Sequence, residues 1–349
     1  MTSEYGKLRV AAIQSAPIFL NREATTSKAC DLISQAAANG ARFIVFPECF
    51  IPAFPHWFEF YPAKGSLCGR LNQELFANSV EVPSPTTDAL AAAARRASAY
   101  VVMGINERRS NILGTMYNSQ VFFGPDGTII GKRRKLTPTM TERLVHATGD
   151  GSDLVVFPSE FGPLAGLICG ENGNPLFRYA LAAQGSRLHA AGWLARIHKD
   201  YAQSIDNMVL RARSCSLDGN HFGVHAAGIF TDQMCDVMEL SEDVRQRILR
   251  GGGSCIVGPI GELLAGPAGE EEKILYADVD FGEIVRAKLR QDVTGHYNRF
   301  DVVSLTLDVT QNIPLRIKPE LPDGDPLLFP KKTAHTDEDK QYVVTQPKL

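Results

Sequence analysis

The chain has 349 residues, of which 44% are hydrophobic and 21% charged, enough apolar material for a substantial core and too much for wholesale disorder. The formal net charge is -3, and the densest basic cluster, Lys132 to Lys135, is short. Such a balance excludes a phosphate-neutralising surface, so nucleic acid is not an expected partner. Seven cysteines, an odd number without any C-x-x-C pair, suggest neither a disulfide framework nor a zinc site. No apolar stretch reaches about 18 residues, and the N-terminus enters a strand-like segment without a leader-like apolar region. A cytosolic protein with no membrane partner is therefore the expectation.

In chain order, short apolar runs alternate with longer helix-like segments, the pattern of a layered α/β protein. Strands are expected at residues 10–13, 41–46, 100–104, 121–123, 154–157 and 164–169. Helices are expected at residues 24–38, 87–99, 175–183 and 200–217. Two segments resemble each other: Gln120-Val-Phe-Phe-Gly-Pro-Asp-Gly-Thr-Ile-Ile-Gly131 and Cys255-Ile-Val-Gly-Pro-Ile-Gly-Glu-Leu-Leu-Ala265. Each reads as strand, Gly-Pro-x-Gly turn and strand, a β-hairpin, and the pair suggests one domain built from two similar halves. From residue 308 prolines interrupt the chain, and residues 331–349 are polar and charged. Residues 1–307 thus read as the folded domain and 308–349 as a proline-rich tail, a surface arm with a disordered end.

Three positions can carry chemistry. Glu48 follows the buried run Phe43-Ile-Val-Phe-Pro47, just beyond the strand edge where α/β sheets usually bind ligands, and suits proton shuttling. Cys169 ends Leu164-Ala-Gly-Leu-Ile168, and Pro175 opens a helix soon after. A thiol at such a turn lies near helix-terminal N–H groups that favour the thiolate, and Gly170 lets its backbone N–H approach a developing anion. Lys135 follows the second strand of the first hairpin and could stabilise such an anion as a point charge. Taken singly, each has a plain alternative: a strand-end acid paired with an arginine, a core cysteine, a solvated lysine.

Together these segments resemble the nitrilase superfamily, whose members use Glu, Lys and Cys in that chain order. The resemblance is to the nitrilase branch, carried by Phe46-Pro-Glu-Cys-Phe-Ile-Pro-Ala-Phe-Pro55, Lys132-Arg-Arg-Lys-Leu-Thr-Pro-Thr139 with Glu142-Arg143, and Cys169-Gly-Glu-Asn172 with Pro175. Gly251-Gly-Gly-Ser-Cys-Ile-Val-Gly-Pro259 and Gly295-His-Tyr-Asn-Arg-Phe-Asp-Val302 are similar to later family segments. The resemblance implies an αββα sandwich with pseudo-twofold halves, a homodimer or a larger spiral homo-oligomer, and a thiol hydrolase needing no metal or organic cofactor. It assigns Glu48, Lys135 and Cys169 to catalysis, with Glu142 positioning lysine and substrate. The implied substrate is a small nitrile, converted to acid and ammonia through a Cys169 thioimidate and thioester. An amide, cleaved by an amidase or carbamoylase of the same superfamily, is the alternative, and an inactive binding or scaffold protein is the reading from another class.

Two positions depart from the family pattern: Gly170 stands where nitrilases usually have Trp, and Phe300 where they usually have Pro. Loss of an indole beside the nucleophile enlarges or reshapes the pocket. Phe54 and Trp57, in the aromatic run after Glu48, and Trp193, between His189 and His198, join Gly170 as candidate substrate-binding residues. The aromatic run suggests an aryl or arylalkyl substituent, or equally core or interface. A papain-like pairing of Cys169 with His189 or His198 has no recognisable sequence context.

Overall fold

The computed structural model describes residues 5–198, 204–313 and 315. The chain divides into a unit spanning Met1–Asn312 and a second, Ile313–Leu349. Of the second unit only residues 313 and 315 are described, so the expected tail lies mostly outside the described residues. Its first residues stay with the folded unit, where the Asn312 backbone N–H donates to Asp150 at 2.7 Å.

Among the described residues eleven strands form two sheets. The first sheet takes β1 (Lys7–Gln14), β2 (Phe43–Val45), β3 (Tyr100–Arg108), β4 (Met116–Phe123) and β5 (Ile129–Arg134). The second takes β6 (Leu164–Ile168), β7 (Leu188–Trp193), β8 (Phe222–Ala227), β9 (Cys255–Val257) and β10 (Leu263–Ala265). In each sheet three parallel strands are followed by an antiparallel hairpin. The last strand, β11 (Lys273–Asp280), returns to the first sheet and pairs antiparallel with β1, from Lys7 opposite Asp280 to Gln14 opposite Lys273.

The two hairpin turns share one hydrogen-bond pattern. Gly124 N–H donates to the Thr128 carbonyl and Gly127 N–H to the Gly124 carbonyl; Gly258 donates to Glu262 and Gly261 to Gly258 in the same way. Gly127 and Gly261 both take a positive φ, 84° and 79°, which glycine adopts without a β-carbon clash. The two-halves expectation therefore corresponds to real duplicated geometry.

Strand alternation sorts the core into layers. Val10, Ala12, Phe43, Val45, Val102 and Phe122 face Leu164, Leu188, Ala190, Phe222 and Val224 of the opposite sheet. Their neighbours Ala11, Ile13, Ile44, Val101 and Val121 pack outward against Ile33 and Ala36 of α1 (Arg22–Ala38) and Leu90 and Ala94 of α3 (Pro85–Ala97). On the other flank Ala165 and Leu167 meet α4 (Pro175–Ala183), while Cys255 and Val257 meet Ala212 of α5 (Ile205–Gly219). The result is the αββα sandwich.

Helix ends follow local chemistry. Asn21 and Asn174 accept hydrogen bonds from the first-turn N–H groups of α1 and α4, and Pro175 occupies the first helical position, where no N–H is needed. Ser84 caps α3, which stops at Ser98 in a left-handed conformation.

The strand expected at residues 154–157 is absent: a 3-10 turn (Gly151–Asp153) precedes it, and Phe157 alone makes an isolated bridge, to Leu164. Part of the helix expected from residue 200 lies outside the described residues, and α5 begins at Ile205. The sequence reading did not identify α2 (Ser66–Asn78), α6 (Asp232–Val237), α7 (Glu242–Arg247) or α8 (Gly282–Arg290).

Candidate active site

Glu48, Lys135 and Cys169 each lie just past the end of a strand, β2, β5 and β6 respectively. Lys135 Nζ donates to Glu48 Oε1 at 2.7 Å and to Glu142 Oε2 at 2.6 Å, with all three side chains wholly buried. Alternation along β5 explains why this lysine and not Lys132. Lys132 and Arg134 turn to Glu107 on the partly exposed face, whereas Arg133 and Lys135 turn inward. The four-residue basic cluster is thus divided between two faces of one strand.

Burial pulls the Lys135 ammonium down, but Glu48 and Glu142 outweigh it and hold its pKa well above the ordinary lysine value. Burial likewise pushes the Glu142 carboxyl up, yet the Lys135 ammonium and His146 keep it well below the usual carboxylate range. Glu142 is further fixed by the Thr139 backbone N–H at 2.9 Å and by His146 Nδ1 at 3.1 Å. His146 is braced in turn by Asn106, 2.6 Å from its Nε2.

Asn118 on β4 escaped the sequence reading. Its Nδ2 donates to Glu48 Oε1 and Glu142 Oε1, both at 2.7 Å, and its backbone carbonyl accepts the Lys135 backbone N–H. The second Glu48 oxygen accepts from the Leu194 backbone N–H at 3.0 Å, just past β7. The first-half carboxylate is therefore held in part by the second half.

Glycine permits the close packing around Glu48, between the halves at Gly192 and within the first half at Gly104. A β-carbon on Gly192 would sit 2.9 Å from the Glu48 nitrogen, and one on Gly104 would sit 2.0 Å from the Pro47 carbonyl oxygen.

Cys169 is 3% exposed and takes a left-handed φ of 51°, a strained conformation for a residue with a β-carbon. It starts a 3-10 turn (Cys169–Gly173) that leads into α4. The thiolate expected from helix-terminal N–H groups is not favoured: burial and the Glu48 carboxylate push the thiol up to about 11, against the lowering pull of Arg196 and Lys135. At neutral pH the Cys169 side chain rests as a thiol, which would need a base before it could attack.

Glu171 ties this turn to the lysine segment. Its carboxylate accepts both terminal nitrogens of Arg133, at 2.8 and 3.1 Å, the Leu136 N–H at 2.7 Å and the Ile168 N–H at 2.8 Å. Cys-Gly-Glu was quoted only as a motif; the partner that makes its glutamate structural lies 38 residues away in sequence.

His189 reaches Cys169 only indirectly. Asn172 Nδ2 donates to the Leu167 and Cys169 carbonyls, leaving Oδ1 to face His189 Nε2 at 2.8 Å. His189, Cys215 and His221 cluster closely enough to suggest a metal site. The fit fails, because His189 Nε2 carries its proton toward Asn172, and the His189 and His221 rings stack only 9° from parallel, so their in-plane lone pairs do not converge. His198 engages Glu59 at 2.6 Å. Neither histidine forms a papain-like pair with the thiol.

The candidate substrate-binding residues diverge. Phe54 lines a small cavity with Glu48, His56 and Leu194, whereas Trp57 packs with Phe19, Cys68 and Leu71. Trp193 packs with Cys169 and Met208, and its indole N–H donates to His225 at 3.2 Å. A β-carbon at Gly170 would lie 3.4 Å from Thr139 Oγ, an ordinary van der Waals contact. Phe300 is exposed. A cleft of about 560 Å³ beside Arg22, Cys30 and Arg108 contains none of the catalytic candidates.

A family model described as carbon-nitrogen hydrolase matches residues 9–289, the stretch that builds both sheets and this cluster. The chain belongs to the carbon-nitrogen hydrolase family and is an enzyme acting on carbon-nitrogen bonds other than peptide bonds. Within that class its curated relatives include Nitrilase 3 of an unknown prokaryotic organism, 37% identical, with 87% of this chain and 91% of that one covered. A nitrilase of Bacillus sp. (strain OxB-1) is 34% identical, with 90% and 92% covered. Among solved structures, Saccharomyces cerevisiae Nit3, a member of branch 10 of the nitrilase superfamily, aligns with a TM-score of 0.63 at 20% identity, covering 84% of this chain and 98% of that one. That likeness speaks for the fold.

Proposed function

We propose that the protein is a nitrilase that converts a small organic nitrile to the carboxylic acid and ammonia. The observation that carries this reading is the buried Glu48–Lys135–Glu142 cluster beside Cys169, in a chain whose curated relatives include several nitrilases.

In this mechanism Glu48 takes the Cys169 thiol proton as sulfur adds to the nitrile carbon, and the nitrogen accepts a proton to give the thioimidate. Lys135 and the Gly170 N–H stabilise the charge that develops on nitrogen. Water activated by Glu48 adds to the thioimidate carbon, the C–N bond breaks with loss of ammonia, and a thioester remains. A second water cleaves the C–S bond, releasing the acid and returning the proton to sulfur. An amide would enter the same route by attack at its carbonyl and lose ammonia on forming the thioester.

Phe54, which lines a small cavity beside Glu48, and Trp193, which packs with Cys169, are the aromatics placed to touch a substituent. Exposed Leu210 and Leu217 of α5, one heptad apart, and Leu176 of α4 offer an apolar face for a second copy.

The test is intact-mass detection of a Cys169 adduct across nitriles and amides, with ammonia measured in parallel. Adducts and ammonia from nitriles, both abolished in Cys169→Ala, are expected. Turnover of amides alone would replace the nitrilase reading with an amidase.

A further inference from the structure

Arg196 has no place in the chemistry above, yet it reaches the nucleophile. Three residues beyond β7 the chain turns its guanidinium over the Trp193 indole, 5.3 Å from the ring centroid, and brings Nη2 to 3.7 Å from Cys169 Sγ. The residue is 7% exposed, and its Nε is buried without a hydrogen-bond partner.

Among the described residues no carboxylate lies in ion-pair contact with it. Glu48 and Glu142, which face the site, are both held by Lys135, and Glu59 is held by His198. Ile168, Ala191, Met208 and Ala227 pack around Cys169 and Trp193, and Glu59, though bonded to His198, lies within electrostatic reach of the guanidinium without a hydrogen bond to it. Burying a guanidinium with an open donor is costly unless an acceptor arrives, and its planar fork matches a carboxylate with two parallel hydrogen bonds.

We propose that Arg196 determines specificity by binding an anionic substituent of the substrate, so that the preferred substrates are short nitriles carrying a carboxylate. The proposal rests on the nitrile reading for the reacting group and on Arg196 alone for the anion. A substrate carbon bonded to Sγ lies within a few bond lengths of Nη2. A carboxylate two or three bonds from that carbon can therefore meet the guanidinium while the nitrile meets Lys135. Sequence alone gave a signal here, an arginine in the otherwise apolar run Trp193-Leu-Ala-Arg-Ile197 past a strand end, but not the direction in which it points.

The decisive experiment compares alkylation of Cys169 by anionic iodoacetate and neutral iodoacetamide, mapped by peptide mass spectrometry, in wild type, Arg196→Gln and Arg196→Lys. General activation of the thiol by a nearby cation affects both reagents and cancels in the ratio, whereas recognition of the anion does not. The iodoacetate-to-iodoacetamide ratio is expected to fall on the order of tenfold or more in Arg196→Gln, the scale of a charge-assisted hydrogen bond, and to fall less in Arg196→Lys. The ratio of kcat/KM for cyanopropanoate over the methyl ketone of the same shape should fall in parallel. An alkylation ratio unchanged in both folded variants overturns the anion site. A falling alkylation ratio in a protein that turns over no nitrile upholds the anion site and overturns the nitrile reading instead.

Discussion

Replacing Glu171 by Ala removes an acceptor that satisfies four donors at once. It leaves the wholly buried Arg133 guanidinium without its carboxylate and the Leu136 and Ile168 N–H groups without partners. Breaking one side of a buried ion pair costs about 3–5 kcal/mol, and each orphaned N–H adds about 1–3 kcal/mol where no water reaches it. Since domain stabilities are about 5–15 kcal/mol, the loss should consume a large share of the total. The assay is the urea midpoint of Glu171→Ala beside Arg133→Met/Glu171→Leu. The double variant removes the stranded charge, though not the stranded N–H groups, so it should be more stable than the single one. The variants that still fold should lose kcat more than KM, because the Cys169 turn loses its anchor while the pocket keeps its walls. A loss below about 1 kcal/mol in Glu171→Ala, or a double variant less stable than the single, would refute the reasoning.

Raising the pH should accelerate alkylation of Cys169 by iodoacetamide in the free enzyme until about pH 11, without the plateau near pH 9 of an ordinary thiol. The raised pKa also sets a stability window: the unfolded thiol ionises first, so its contribution is full below about pH 9 and is lost as pH rises to about 11, a slope that Cys169→Ala should flatten in thermal melts. Gly104→Ala must push the Pro47 backbone away and carry Glu48 with it; kcat should fall by roughly a hundredfold, as for a misplacement near 1 Å, and a variant of unchanged kcat would contradict the close approach. Lys135→Met leaves Glu48 and Glu142 facing each other across one Asn118 amide, and ammonia release should drop by about a hundredfold or more. Retention of wild-type turnover would remove Lys135 from the mechanism.

Much of the architecture was legible because it is written in local signals. The Gly-Pro-x-Gly turns, the apolar runs before Glu48 and Cys169, and Pro175 at a helix start each imply their structure within a few residues. The return of β11 to β1 was not legible, since its pairing partners lie some 270 residues away and nothing near Lys273 points to Lys7. Residues 154–157 misled because Leu-Val-Val-Phe has strand composition, while only Phe157 found a pairing partner. In the site, residue types that suggest chemistry were visible, and those that hold it in place were not. Asn118, Arg133 and Glu171 look like ordinary polar residues until distant segments meet. Arg133 in particular was indistinguishable from Lys132 before strand alternation turned one inward and the other out.

The exchange of partners between halves bears on synthesis as well as catalysis. Strand β1 pairs on one side with β2 and on the other with β11, and the Glu48 carboxylate completes its hydrogen bonds only with Leu194. As the chain emerges from its N-terminus, one edge of β1 therefore stays open until residue 280 has followed, a template for wrong pairing throughout that interval. Glu48 and Lys135 come from the earlier half and Cys169 from the later one, so in the proposed mechanism a chain arrested between the two sheets carries the base and the cation without a nucleophile. On that mechanism activity appears only with completion of the second sheet.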